Sequence, residues 1–108
     1  MGPVITRSSQ ERITKWIDEA EAKGANIVLD GRGYRPEGEE YADGFWLAPT
    51  IIDNVDRDLS VYCEEVFGPV LVVVHADTYA EAIEIVNSSE FGNGSAIFTS
   101  DGATARHL

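Results

Sequence analysis

Five branched apolar residues in an unbroken row, Val70 to Val74 of the run VLVVVHA, limit the folds open to this chain more than any other feature. A row like this cannot alternate between core and solvent, so it predicts a strand covered on both faces and central in its sheet. The next residues supply a cover. Asp77 or Thr78 is placed to cap a helix over YAEAIEIVNSS, with Ala82, Ile83 and Val86 on its apolar face, Glu81 and Glu84 outside, and Asn87 or Ser88 at its end. GSAIFTS then reads as another strand. Strand, helix and strand in succession predict a βαβ unit with a right-handed crossover. The expected class is α/β, a partly parallel sheet with flanking helices.

The upstream half fits the same class. Ser8 or Ser9 can cap a helix whose apolar positions Ile13, Trp16, Ile17 and Ala20 recur at helical spacing, with Glu11 near its positive end and Gly24 as its C′ residue. ANIVLDG follows as a short buried strand, the αβ half of a crossover. From Gly31 to Gly44 the chain carries Gly33, Pro36 and Gly38 and no sustained period, which predicts a surface loop or an irregular hairpin. In FWLAPTIIDNV, Pro49 cannot donate to a ladder, so the segment is either two short strands broken there or one edge strand. RDLSVYCEEVFG allows one or two helical turns through Leu59, Tyr62 and Val66 before Gly68-Pro69 stops them. SDGATARHL, capped at Ser100 or Asp101, is a helix of barely two turns.

Charge and cysteine usage exclude several functions. A formal net charge of −11 repels phosphate backbones and anionic membrane surfaces, so neither nucleic acid nor membrane is an expected partner. The lone Cys63 cannot close an intramolecular disulfide, which favours a reducing, cytoplasmic setting. MGPVITRSSQ has no basic segment followed by a long apolar one, as a secretion signal would. His75 and His107 lie far apart, and the acids show no cation-loop spacing, so no metal site is expected. FGNGSAIFTSDG holds a Gly-x-Gly without the preceding strand or the third glycine of a dinucleotide fingerprint, and reads as a tight turn.

The chemistry is concentrated in CEEVFGPVLVVV, Cys63 to Val74. Glu64 and Glu65 are adjacent, and neighbours in a helical turn project about 100° apart, so one of them faces solvent. The other, beside Phe67 and a Gly-Pro turn, suits a polyol, since a carboxylate can accept two hydroxyl hydrogen bonds as acids do from a ribose. A wholly solvated pair is the competing reading. Cys63 invites a nucleophile, yet a reactive thiolate needs a cation, a helix N-terminus or a histidine beside it, and its neighbours here are two acids. It is not expected to be catalytic, and no other catalytic residue is identified.

The segments EEVFGPVL and DTYAEAIEIVNSSEFGNGSAIFTSD resemble the aldehyde dehydrogenase superfamily, whose catalytic domain carries E-E-[IV]-F-G-P-V, a strand, a helix and a Y-G-x-x-A-x-[IV]-F-T-x-D turn. The likeness extends upstream through GFWLAPTIIDNV and GANIVLDGRG and covers essentially the whole chain. MGPVIT, LDGRG and the Asn-Gly of FGNGSAIFT are similar to the coenzyme-A-dependent branch that acts on methylmalonate-type semialdehydes. Phe91 stands where the family usually has Tyr.

The resemblance implies a parent enzyme that attacks an aldehyde with a cysteine thiolate, passes hydride to NAD and transfers the acyl group to coenzyme A. It implies that Glu65 binds the hydroxyls of the nicotinamide-side ribose and that Phe67 packs near that ring, leaving Glu64 solvated or structurally paired. The family's nucleophile, its Glu-Leu-Gly segment and its NAD-binding domain have no match here. Residues 1–108 are therefore expected to be one partial catalytic unit, inactive alone, from a homo-oligomeric parent. A free-standing acidic α/β binding module without catalysis is the rival expectation, distinguished by a complete terminal helix.

Overall fold

A computed structural model describes residues 1–107. The first helix, α1 (Arg7–Ala22), is capped by Thr6, whose side chain accepts from the Ser9 backbone N–H, so the cap lies two or three residues upstream of the serines expected to provide it. Three competent hydroxyls crowd this end, and Thr6 is the one with extended backbone, which a cap requires. At the other end Gly24 adopts φ 95°; its N–H reaches the Glu21 carbonyl while the Ala25 N–H reaches that of Ala20. Both bonds satisfy helix-end carbonyls, and the left-handed residue turns the chain directly into a strand.

Strand β1 (Asn26–Leu29) pairs antiparallel with β2 (Thr50–Asp53), and β2 pairs parallel with β3 (Val70–Val72), giving a mixed sheet in the order β1-β2-β3. Ile27 faces Ile52 and Leu29 faces Ile51, so Val28 is the extra residue of a bulge. The α/β class is therefore correct, and its parallel pair is β2 with β3, joined through the short helix α2 (Ser60–Cys63).

Several element expectations are corrected. Phe45 to Pro49 form no strand, and β2 begins immediately after Pro49 and lies in the middle of the sheet. Proline is harmless there because the first ladder donor needed is the Thr50 N–H, which bonds to the Pro69 carbonyl. β3 is shorter than the apolar row and lies at an edge, with Leu71 58% exposed. GSAIFTS forms no strand, so the expected βαβ unit does not close over β3. The 31–44 segment is irregular apart from a one-turn 3-10 helix at Glu39–Tyr41.

The core lies between α1 and the sheet. Ile13, Ile17 and Ala20 meet Ile52, Leu47, Val55, Leu59 and Val61, and Trp16, Val66, Val70 and Val72 pack around them. Gly31 is also buried; a Cβ there would lie 1.8 Å from the Ala48 carbonyl oxygen, so the crossing of these two strands of chain admits only glycine. Arg32 clamps the outside: its guanidinium bonds Asp30, Asp18 and Glu21 at 2.6–2.9 Å, tying α1 to the exit of β1.

Beyond β3 the chain forms α3 (Tyr79–Asn87), capped by Thr78, and α4 (Gly102–His107), whose Thr104 N–H is capped by Asp101. Neither helix has a buried residue, and Phe98 between them is 97% exposed. The radius of gyration is accordingly 16.4 Å, against about 13 Å for a compact domain of this length. Leu108, the last residue of the terminal segment, lies outside the described residues.

Candidate functional site

Between α2 and β3 the chain makes a tight passage over residues 64–69, and each residue there has its own constraint. Glu64 ends α2 with extended backbone, its N–H bonded to the Ser60 carbonyl. Val66 is half-buried against the core. Its carbonyl accepts from Arg12 Nη2 at 2.9 Å. Gly68 sits so close to α1 that a Cβ would lie 2.5 Å from Ile13 Cδ1. Pro69 then delivers the chain to β3.

Phe67 takes φ 53°, a left-handed conformation that is an outlier for a bulky side chain. Strain of this kind is held in place by its surroundings and gathers at ligand-binding positions. Its consequence here is geometric. With Val66 turned into the core and Gly68 pressed on α1, the ring of Phe67 is thrown outward and is 76% exposed.

Glu64, Glu65 and Phe67 line one open hollow of about 570 Å³, walled on its apolar side by Val61, Val70, Val72 and Phe91. The Glu65 side chain is exposed, and among the described residues nothing hydrogen-bonds or pairs with its carboxylate. The two residues expected to form a site are thus brought together, one offering two acceptor oxygens and the other a flat apolar ring. Such a pair can receive a vicinal diol and an adjoining aromatic ring. Phe91 and the wall of β3 were missed by sequence reasoning. Phe91 carried a faint signal, as an aromatic residue opening a glycine-rich turn, but nothing local placed it against β3.

Other ionisable groups serve structure outside this lining. The Arg32 side chain holds the Asp30 carboxyl below the ordinary carboxylate range, and Asp30 in turn pushes the Arg32 guanidinium up. His75 Nε2 lies 2.7 Å from Asp53 Oδ1 and lowers the pKa of that acid, linking the ends of β2 and β3. Thr104 does the same to Asp101 at the start of α4. Cys63 is exposed, and its Sγ contacts the Arg57 carbonyl at 3.0 Å, with no histidine or cation bonded to it among the described residues. No described helix is long and apolar enough to cross a membrane.

A family model described as "Aldehyde dehydrogenase family" matches residues 1–108, the whole chain. The chain belongs to the aldehyde dehydrogenase family. Among its family relatives, the mitochondrial acylating methylmalonate-semialdehyde/malonate-semialdehyde dehydrogenase of Bos taurus is 51% identical over 106 residues, covering 98% of this chain and 19% of its own. A solved methylmalonate-semialdehyde dehydrogenase from Oceanimonas doudoroffii superposes with a TM-score of 0.87 at 45% identity, over 97% of this chain and 21% of that one. A Sinorhizobium meliloti 1021 protein solved in complex with NAD gives a TM-score of 0.90 at 42% identity, over 99% and 21%. The chain therefore spans about a fifth of the length of the family members it matches.

Proposed function

We infer that this chain forms the nicotinamide-ribose side of the cofactor cleft in an NAD-dependent aldehyde dehydrogenase acting on malonate- or methylmalonate-type semialdehydes, with coenzyme A as acyl acceptor. One observation carries the reading: a carboxylate without a partner among the described residues and an outward aromatic ring, held by a strained turn, share one open hollow with apolar walls. Those residues fit the cofactor by their chemistry. The Glu65 oxygens match a pair of ribose hydroxyls, and Phe67 with Val70, Val72 and Phe91 matches an uncharged ring face. Similarity to a protein solved with NAD and to acylating semialdehyde dehydrogenases supports the cofactor and the substrate class.

NAD, when bound, supplies the hydride acceptor. This chain's own part is to bind and orient. Glu65 fixes the ribose, so the attached ring can take only a narrow range of positions, and Phe67 excludes water from one side of it. Glu64 serves the end of α2 through its backbone. Cys63, held against a main-chain carbonyl, stays outside the chemistry as a free thiol, in keeping with a reducing, cytoplasmic compartment. The thiolate that attacks the aldehyde belongs to another part of the polypeptide in this reading, and the complete enzyme is a homo-oligomer that binds neither nucleic acid nor membrane.

The test is turnover. The full-length protein carrying this sequence should reduce NAD in the presence of malonate semialdehyde and coenzyme A, with acyl-CoA as product, and the isolated 108-residue chain should give no NADH. Steady NADH formation by the isolated chain, or its absence from the full-length protein under the same conditions, contradicts the reading.

A further inference from the structure

We propose that Arg12 is a positioning residue for the cofactor cleft, acting through the Val66 carbonyl to hold Glu65 and Phe67 in their receiving orientation. The proposal rests on the reading of Glu65 given above. Among the described residues only Arg32, of the eight Lys and Arg side chains, pairs with carboxylates, so what sets Arg12 apart is where its guanidinium is bonded. Arg32 gathers three carboxylates. Arg12 forms no ion pair among the described residues, and its Nη2 donates instead to the carbonyl of Val66, fifty-four positions away. Its guanidinium carbon lies 4.5 Å from the Trp16 ring centroid, one helical turn on, so the indole fixes the direction in which the fork points.

The bonded carbonyl occupies a decisive place. The peptide joining Val66 to Phe67 is a rigid plane, so holding its oxygen toward α1 sets the exit from Val66 and the entry to Phe67, and with them how the ring stands to the Glu65 carboxylate two residues before it. If Phe67 relaxed from φ 53° by turning that plane, the bond to Arg12 would break. The neighbouring helix residue Ile13 presses on Gly68 from the same side. Two successive residues of α1 therefore grip the turn on either side of Phe67. Without Arg12 the plane is released, the ring and carboxylate lose their fixed relation, and cofactor binding bears the cost of restoring it.

The experiment is a double-mutant cycle on NAD affinity, measured by titration of the full-length protein carrying this sequence. Arg12→Met keeps an apolar stem over Trp16 and removes the donor; loss of a bond from a charged donor gives an expected weakening of about tenfold, with the aldehyde KM unchanged. In a background carrying both Glu65→Gln and Phe67→Ala the same substitution should add less than about twofold, because it acts through those two side chains and not beside them. Arg12→Lys, which cannot lay a planar fork on the indole, should weaken NAD about threefold and replaces Arg12→Met if that variant does not fold. Wild-type NAD affinity in the Arg12 variant, or losses that multiply fully with those of the Glu65→Gln, Phe67→Ala pair, overturns the proposal while leaving the Glu65 site intact. Wild-type affinity in Glu65→Gln alone overturns the site reading itself.

Discussion

The lobe built from α1, β1, β2 and α2 and the arm after β3 use equally good local signals and reach different ends. In the lobe, Ile13, Ile17, Ala20 and Ile52 have no exposed surface at all. In the arm, Thr78 caps α3 by accepting from the Glu81 N–H and Asp101 caps α4, yet no residue of either helix is buried. Capping and periodicity form a helix, whereas burial needs a second element in the right place. The arm's apolar positions, Val86, Phe91 and Phe98, have no such element among the described residues. Phe91 alone is put to use, in the wall of the hollow.

Substitutions that break the contrast should have effects ordered by this difference. The largest is expected at Gly31. A Cβ would overlap the Ala48 carbonyl, so Gly31→Ala should cost roughly 4 kcal/mol or more in urea unfolding of the protein carrying this sequence. Gly92→Ala, with nothing within 4 Å, should stay within about 0.5 kcal/mol. Next come large-to-small changes. Ile13→Ala should cost about 2–5 kcal/mol by the transfer and cavity terms; the isolated chain should tolerate Phe98→Ala with a change below about 0.5 kcal/mol, because that ring is 97% exposed. A large cost at Phe98 in the isolated chain would show that the arm is packed in solution.

The smallest effect concerns pH. The Arg32 hydrogen bonds lower the Asp30 pKa, so the ionised form is favoured in the folded state. The stability gained is therefore complete above the unfolded carboxylate value of 3.8 and is lost as pH falls through the lower folded value. With the Asp30 side chain 44% exposed, solvent screening limits the effect to under about 1 kcal/mol. Asp30→Asn should lower stability slightly at pH 7 and flatten its decline as pH falls below 3.8, as read from denaturant midpoints. An unchanged acid slope would remove Arg32 from the account of how α1 is clamped to the sheet.

Much of this was legible in the residues, and the rest failed for physical reasons. The spacing of Ile13, Ile17 and Ala20 and the Gly24 stop predict α1 with its cap two or three residues late, and a cap at Asp77 or Thr78 predicts α3. The Val70–Val74 row predicts a covered central strand; β3 is an edge because residues 94–100, expected to supply a further strand, form none. At the site, two adjacent acids before a Gly-Pro turn mark out a carboxylate but leave Glu64 and Glu65 equal, and it is the family resemblance that assigns roles to Glu65 and Phe67. The left-handed backbone of Phe67 was not visible, since nothing about phenylalanine favours it. The bond from Arg12 was equally hidden, because it joins positions fifty-four apart.

Glu65 is the decisive residue of the proposed cofactor site. NAD titration of the full-length protein carrying this sequence, comparing Glu65→Gln with Glu64→Gln, separates two adjacent acids that share the hollow and the net charge. Loss of a carboxylate that accepts from ribose hydroxyls should weaken NAD by about tenfold or more at Glu65, while Glu64→Gln changes affinity by less than about twofold. Equal losses at the two positions, or a larger one at Glu64, would contradict it.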